Sequence, residues 1–389
     1  MSFGNAWSTK LVNFSPLSGM PSLQINKAIA SLQQNMSDDS MGRLRVETAL
    51  VACVVLISTL LFQENATLAG RHLFSGYRLL EHYLISHGSN SLFAATITRA
   101  FGVIHLTWTL FTSAEPPDKD ARLPLLVPET IIRGGDDIQT ANDLVVTLIR
   151  IGCSQNWAQG FNIGPASPDL DIDQMAIVRQ IQRIPSQIQA YRVLHAHQST
   201  QRDLSAFLIL QLWAEVISIT ATVETGPEPQ EMIFDRYIVR FKEALEISKE
   251  LLVRISSTPS FSVNLGVIPP LFVLAMKCRD WEIRRQIVDL LRVFRRQEGI
   301  WSTDLAALIT ERVIDIESAG FGPGDLIPES SRIKSLLVDA MTTKSQVRLR
   351  YHFVRDCPGF CCNHAEPYEE EISSYASGRF EILECSRRP

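Results

Sequence analysis

ALVACVVLISTLLFQENATLAGRHLFSGYRLLEHYL, residues 49–84, is the stretch on which the fold turns. Its first part belongs to an uncharged run of 16 residues, Thr48–Gln63. Such a run reads either as a membrane span or as the inner helix of a folded hairpin. A spanning helix needs about 18–20 apolar residues, and this run stops short. Arg43 and Arg45 precede it, but Glu47 sits beside them and no aromatic belt marks the ends. In the second part Ala69, Leu73, Tyr77, Leu80 and Leu84 recur at helical spacing, while Arg71, Arg78 and Glu81 fall off that stripe. Gln63, Glu64 and Asn65 form a polar turn between the two parts, and Asn65 can cap the second helix. The expected object is an αα-hairpin whose first helix is buried on all sides.

The rest of the composition agrees with a folded helical chain. Of 389 residues, 46% are hydrophobic and 20% charged, an ordinary globular balance. A net charge of -5 creates no field that would draw the chain to nucleic acid. Seven cysteines, an odd number spread from Cys53 to Cys385, fit a reducing compartment better than a disulfide scaffold. The first residues contain no apolar core of a signal peptide.

The organisation follows from the breaks in pattern. Residues 1–21 are expected to be a flexible N-terminus. Ile25, Ala28, Ile29 and Leu32 then give one amphipathic turn pattern ahead of the hairpin. A Pro/Gly-rich loop is expected at 115–137 and a polar linker at 154–173, with helix from Ile138 to Cys153 between them. Beyond, Leu204–Glu224 reads as a core helix whose early charge is Glu215. Phe234, Tyr237, Phe241, Leu245, Leu252 and Ile255 line a long amphipathic helix. Pro269 and Pro270 can open another helix. Ile283, Ile287, Leu290, Leu291 and Phe294 stripe the next, with Gly299 as its expected stop and Ser302 or Thr303 capping the one after. Only 332–353 changes period: Val347, Leu349, Tyr351 and Phe353 alternate with Arg348, Arg350 and His352, a half-buried strand pairing with residues 332–339. The tail, 357–389, is polar and expected to be loosely held. The fold class is therefore all-α, a large multi-helix orthogonal or superhelical bundle over residues 22–356, with a small C-terminal β-hairpin.

Chemistry is sparse. No nucleophile elbow, phosphate loop, zinc-protease helix or dinucleotide fingerprint occurs. Gly320, Gly322 and Gly324 follow a helix rather than a strand, which points to helix termination. Asp169, Asp171 and Asp173 imitate the start of a calcium loop, but its glycine and glutamate positions hold Gln174 and Gln180. Cys357, Cys361, Cys362 and His364 are the most metal-like cluster, yet adjacent cysteines rarely reach one tetrahedral ion and no second knuckle appears. His195 and His197 diverge on a helix. Glu215 is either a buried acid with a raised pKa or a residue turned to a solvent edge or an arginine. Arg284, Arg285, Arg292, Arg295 and Arg296, interleaved with Glu282, Asp289 and Glu298, read as a solvated face rather than a DNA-binding one. No catalytic, cofactor-binding or metal residue is assigned.

Two stretches carry a resemblance. One is the hairpin preceded by INKAIASLQ. The other is IPPLFVLAMKCRDWEIRRQIVDLLRVFRRQEGIWSTDLAALITERVIDIES, residues 268–318, followed by RIKSLLVD and QVRLRYHF. In order and spacing they resemble the regulatory, middle-homology domain of fungal zinc-cluster transcription factors over residues 22–353. The resemblance implies a nuclear or cytoplasmic regulator with no enzymatic role and no cofactor. Such a protein would work through partner proteins, as a homodimer, or through a small ligand, including in a secondary-metabolite pathway. The family's six-cysteine zinc cluster has no counterpart here, since the first cysteine, Cys53, lies within the hairpin. Direct DNA binding and a membrane location are therefore not expected. The competing expectation is an enzyme or auxiliary protein of a biosynthetic pathway on the same scaffold, marked by a pocket near Glu215, His105 or His195.

Overall fold

A computed structural model describes residues 42–63, 65–89, 91–109, 200–223, 231–255, 260–264, 266–340, 346–356, 366–374 and 380–385, with isolated positions between 145 and 194. Among these the chain is mostly helical, with two small sheets.

The hairpin forms as its spacing requires. Helix α1 (Arg43–Phe62) and helix α2 (Ala66–His87) pack against each other, and helix α3 (Leu92–Thr109) joins both. Asn65 caps α2, its side chain accepting from the Leu68 amide at 3.1 Å. Ala69, Leu73, Tyr77 and Leu80 face the core. Gly76 lets α3 come close: a Cβ there would sit 2.5 Å from a Phe101 ring carbon. Helix α1 departs from expectation. It buries one face through Val46, Leu50, Ile57 and Leu60, but Leu44 and Val55 remain 75% and 58% exposed. By length and composition alone its 20 residues could cross a bilayer, because the helix extends the uncharged run backward through Arg43, Arg45 and Glu47. Burial on every side belongs instead to helix α4 (Gln201–Val223), where each residue from Leu212 to Thr220 is buried.

A 3₁₀ turn (Glu231–Tyr237) leads into helix α5 (Ile238–Arg254), which lies on α4 and buries Phe241, Leu245 and Leu252. Helix α6 (Ile268–Lys277) begins with Pro269 and Pro270 in its first turn. Helix α7 (Trp281–Val293) starts at the Asp280 cap, and helix α8 (Thr303–Glu317) at the Ser302 cap, with Asp304 in its first turn. Gly299 does not stop α7. That helix ends at Val293, and Gly299, at φ 60°, turns the chain between two short strands. Strands β1 (Ser260–Ser262), β2 (Arg296–Glu298) and β3 (Trp301–Ser302) form the first sheet, β1 and β2 parallel, β2 and β3 antiparallel. The hairpin meets this sheet: the Phe62 ring stands edge-on to Phe261 at 5.2 Å, and Gln297 donates to the Leu61 carbonyl at 2.8 Å.

The second sheet is larger than the sequence suggests. Strands β4 (Ile333–Ala340) and β5 (Gln346–Phe353) pair antiparallel as expected. The tail, rather than hanging loose, adds β6 (Tyr368–Ser374) and β7 (Phe380–Cys385) in the order β4-β5-β6-β7. A two-stranded ribbon is marginal alone. Here Val347, Leu349, Tyr351 and Ile372 turn one face inward. Arg312 of α8 grips Glu370 of β6 with two hydrogen bonds, at 2.7 and 2.8 Å, and the Tyr351 hydroxyl donates to the same carboxylate.

Candidate functional site

The densest arrangement of chemically capable groups is a buried charge network where α6, α7, α8, the 3₁₀ turn and β4 converge. Glu317, at the end of α8, is fully buried. Its Oε1 lies 2.8 Å from Arg279 Nη2 and its Oε2 2.7 Å from Arg284 Nη2. Arg279 reaches back to Glu231 at 2.8 Å, and Lys277 approaches the other oxygen of Glu231 at 2.7 Å. The backbone is recruited too. The Ile333 amide donates to Glu317 at 2.7 Å, Arg279 donates to the Ile333 carbonyl, and Arg284 Nε donates to the Ala275 carbonyl at 2.9 Å. Beside them Arg332, also fully buried, forks onto Asp235 at 2.8 and 2.7 Å and donates to the Glu231 carbonyl.

Electrostatics follow from that geometry. Burial alone would raise Glu317, but Arg279 and Arg284 hold its carboxyl below the usual range of a glutamate. Burial also acts against the Arg279 guanidinium, and Glu317 with Glu231 outweighs it, so its proton is held more tightly than in water. At Arg284 burial wins over Glu317 and the value falls; a guanidinium nevertheless stays cationic at physiological pH. Cys278, wedged between Lys277 and Arg279, is pushed up to about 11 by burial, so it is a protonated, unreactive thiol. A site of fixed ion pairs and a neutral thiol has no base poised beside a nucleophile; its chemistry is the holding together of segments distant in sequence.

A second internal carboxylate does similar work. Glu298, buried at the end of β2, accepts from the Val267 and Ile268 amides at 3.1 and 2.8 Å and so caps α6 from across the fold. Arg296 neutralises it at 2.5 Å. Gly266 makes room, since a Cβ there would lie 1.9–2.1 Å from the Glu298 carboxylate atoms.

Comparison with known proteins gives one informative result. Over 50 residues the chain is 40% identical to the aspercryptin biosynthesis cluster-specific transcription regulator atnN of Emericella nidulans. The match covers 13% of this chain and 8% of that regulator. No family model and no solved structure matches.

The residues singled out from sequence do not converge. Glu215 is the partner of Arg240, at 2.5 Å. His105 packs its ring against Phe74 and Tyr77 in the hairpin. The five arginines are not one solvated face. Arg284 points into the core to Glu317, Arg285 covers the Trp281 ring, Arg292 pairs with Glu311, and Arg296 belongs to β2. The reason is that α7 has apolar residues on both sides of Arg284, and its partner comes from another helix. Gly320, Gly322 and Gly324 shape the loop after α8, where the Gly322 amide donates to Asp325. No group of three metal-ligating side chains occurs among the described residues. His195, His197, the aspartates at 169–173, the cluster Cys357, Cys361, Cys362 and His364, the segments 22–34 and 115–137 and, apart from the helical, buried Val145, residues 138–173 lie outside the described residues.

Proposed function

We propose that this chain is a transcription-regulator-like protein of fungal type, acting in the nucleus through contacts with other proteins or a small ligand on expression of a biosynthetic gene cluster. The segment 40% identical to a cluster-specific transcription regulator carries this reading. The order of motifs from the RHLFSG helix to the RLRYHF strand supports it, because those motifs resemble the regulatory domain of zinc-cluster factors. The described geometry fits the same reading. Its buried carboxylates are bound to arginines and helix amides, which ties segments distant in sequence into one body.

Deletion of the gene in its host, followed by transcript profiling, tests the proposal. The expected result is a change confined to a contiguous set of biosynthetic genes, restored by the reintroduced copy, with a fluorescent fusion concentrated in nuclei. Unchanged transcripts alongside loss of one chemical conversion would overturn it in favour of an enzyme.

A further inference from the structure

Strand β6 carries three successive glutamates, Glu369, Glu370 and Glu371, and the fold treats them differently. Glu369 and Glu371 stand opposite Arg350 and Arg348 of β5 and stay half-buried, with Arg348 donating to Glu371 at 2.6 Å. Glu370 belongs to the other face and is 1% exposed, between the buried Tyr368 and Ile372. There it accepts both Arg312 hydrogen bonds and, at 2.9 Å, that of the Tyr351 hydroxyl. Side-chain alternation opposes a slip of β6 by one residue, since Tyr368 and Ile372 would turn outward. It does not oppose a slip by two. Moved so that Arg350 meets Glu371, β6 would keep one outer ion pair, and Tyr368 would lie opposite Phe353, whose ring it already meets edge-on at 5.2 Å. What such a slip loses is the inner carboxylate: Ile372 would stand opposite Leu349 in place of Glu370, and Arg312 would face no acid.

We propose that the Arg312–Glu370 pair is a register lock, which selects one docking position for β6 among those that apolar patterning leaves open. Arg312 comes from α8, outside the sheet, so it marks a fixed point against which the strand is set. A buried carboxylate moved away from Arg312 keeps its desolvation cost without a partner, and the Arg312 side chain, 14% exposed, meets the same cost. A single buried polar group fixes the register of paired helices in coiled coils, and here one ion pair does so for a strand. The lock extends to β7, whose place in the sheet is beside β6.

Cysteine pairs read the register in the full chain. Gln346→Cys with Ser373→Cys reports the observed pairing, in which these positions are opposite, and Arg348→Cys with Ser373→Cys reports a slip of two. Disulfides formed under mild oxidation are identified by peptide mass spectrometry. In the otherwise unaltered chain the first pair is expected to cross-link about tenfold faster than the second, because the slip strands both charges. Exchanging two residues, Glu370→Ile with Ile372→Glu, moves the carboxylate two positions along β6, and the preference should reverse as the strand shifts to meet Arg312. Where far-UV circular dichroism shows that the exchange impairs folding, the neutral variant Arg312→Met with Glu370→Met carries the test. An apolar replacement of a buried pair keeps the fold, and its two cysteine pairs should cross-link within about threefold of each other. Retention of the original preference in either folded variant would overturn the proposal. So would a neutral variant that fails to fold, since the pair would then be a requirement of folding rather than of register.

Discussion

Between Val46 and Tyr83 the hairpin fills its interior with aliphatic and aromatic side chains and keeps its ion pair, Arg43 with Glu47, at the rim. Between Glu231 and Ile333 the chain instead buries Arg279, Arg284, Arg332, Glu231 and Glu317 among hydrocarbon. Apolar packing is non-directional and tolerates reshuffling of shape. A buried ion network tolerates almost none, because each partner left alone keeps a desolvated charge. The hairpin is thus held by quantity of contact, and the latched half by the identity and placement of a few groups.

Substituting the centre of the network is the strongest way to expose this difference. Glu317→Gln keeps the shape but leaves Arg284 without its carboxylate and Arg279 with Glu231 alone, and urea unfolding should show a loss of ~3–5 kcal/mol. In the hairpin, Leu73→Ala should cost ~3 kcal/mol through its cavity, whereas the shape-conserving Leu73→Met should cost under about 1.5 kcal/mol in the same measurement. If Glu317→Gln proved as mild as Leu73→Met, the contrast between the two halves would fail.

Acid separates the halves in another way. The Glu317 carboxyl is depressed below its ordinary 4.5, so its stabilisation is fully present above that pH and is lost as pH falls through the lower folded value. Glu47 is depressed too, by the Tyr83 hydroxyl and Arg43, but it stands near solvent and contributes less. Hydrogen exchange measured from pH 6 downward should show the amides around Ile333 and α8 opening at a higher pH than those of α2. The smallest effect is expected at the turn: Asn65→Ala removes the α2 cap and should lower stability by ~1 kcal/mol, read as a shift in thermal midpoint.

The hairpin was legible in the sequence because its signals are local. The Asn65 cap, the stripe from Ala69 to Leu80, the prolines opening α6 and the alternation of β5 all lie within a few residues of what they determine. The network was not, because its members are scattered from Glu231 to Ile333. One sign of it was available. Arg284 falls inside the apolar arc of Ile287, Leu291 and Val288, and a charge in such an arc requires a buried partner. Glu317, on the inner side of α8, carried the complementary sign. Gly299 misled for a related reason: a glycine after a helical stripe reads as a stop, while here Phe294 already ends the helix and the positive φ serves the turn into Trp301. The two tail strands were hidden by their composition, since EEE at 369–371 reads as solvated, yet Glu370 is sheltered by Arg312.

The scatter of those partners has a bearing on biogenesis. As the ribosome releases the chain from its N-terminal end, α6 and α7 emerge while Glu317 and Ile333 are still unsynthesised. Arg284, whose carboxylate partner is Glu317, must stay hydrated until then, and Arg279 has only Glu231 to pair with, which disfavours full docking of these helices. Nascent chains interrupted before β4 would therefore expose their unfinished interior to the cell's quality-control machinery, and only full translation through that strand would yield a product that escapes degradation.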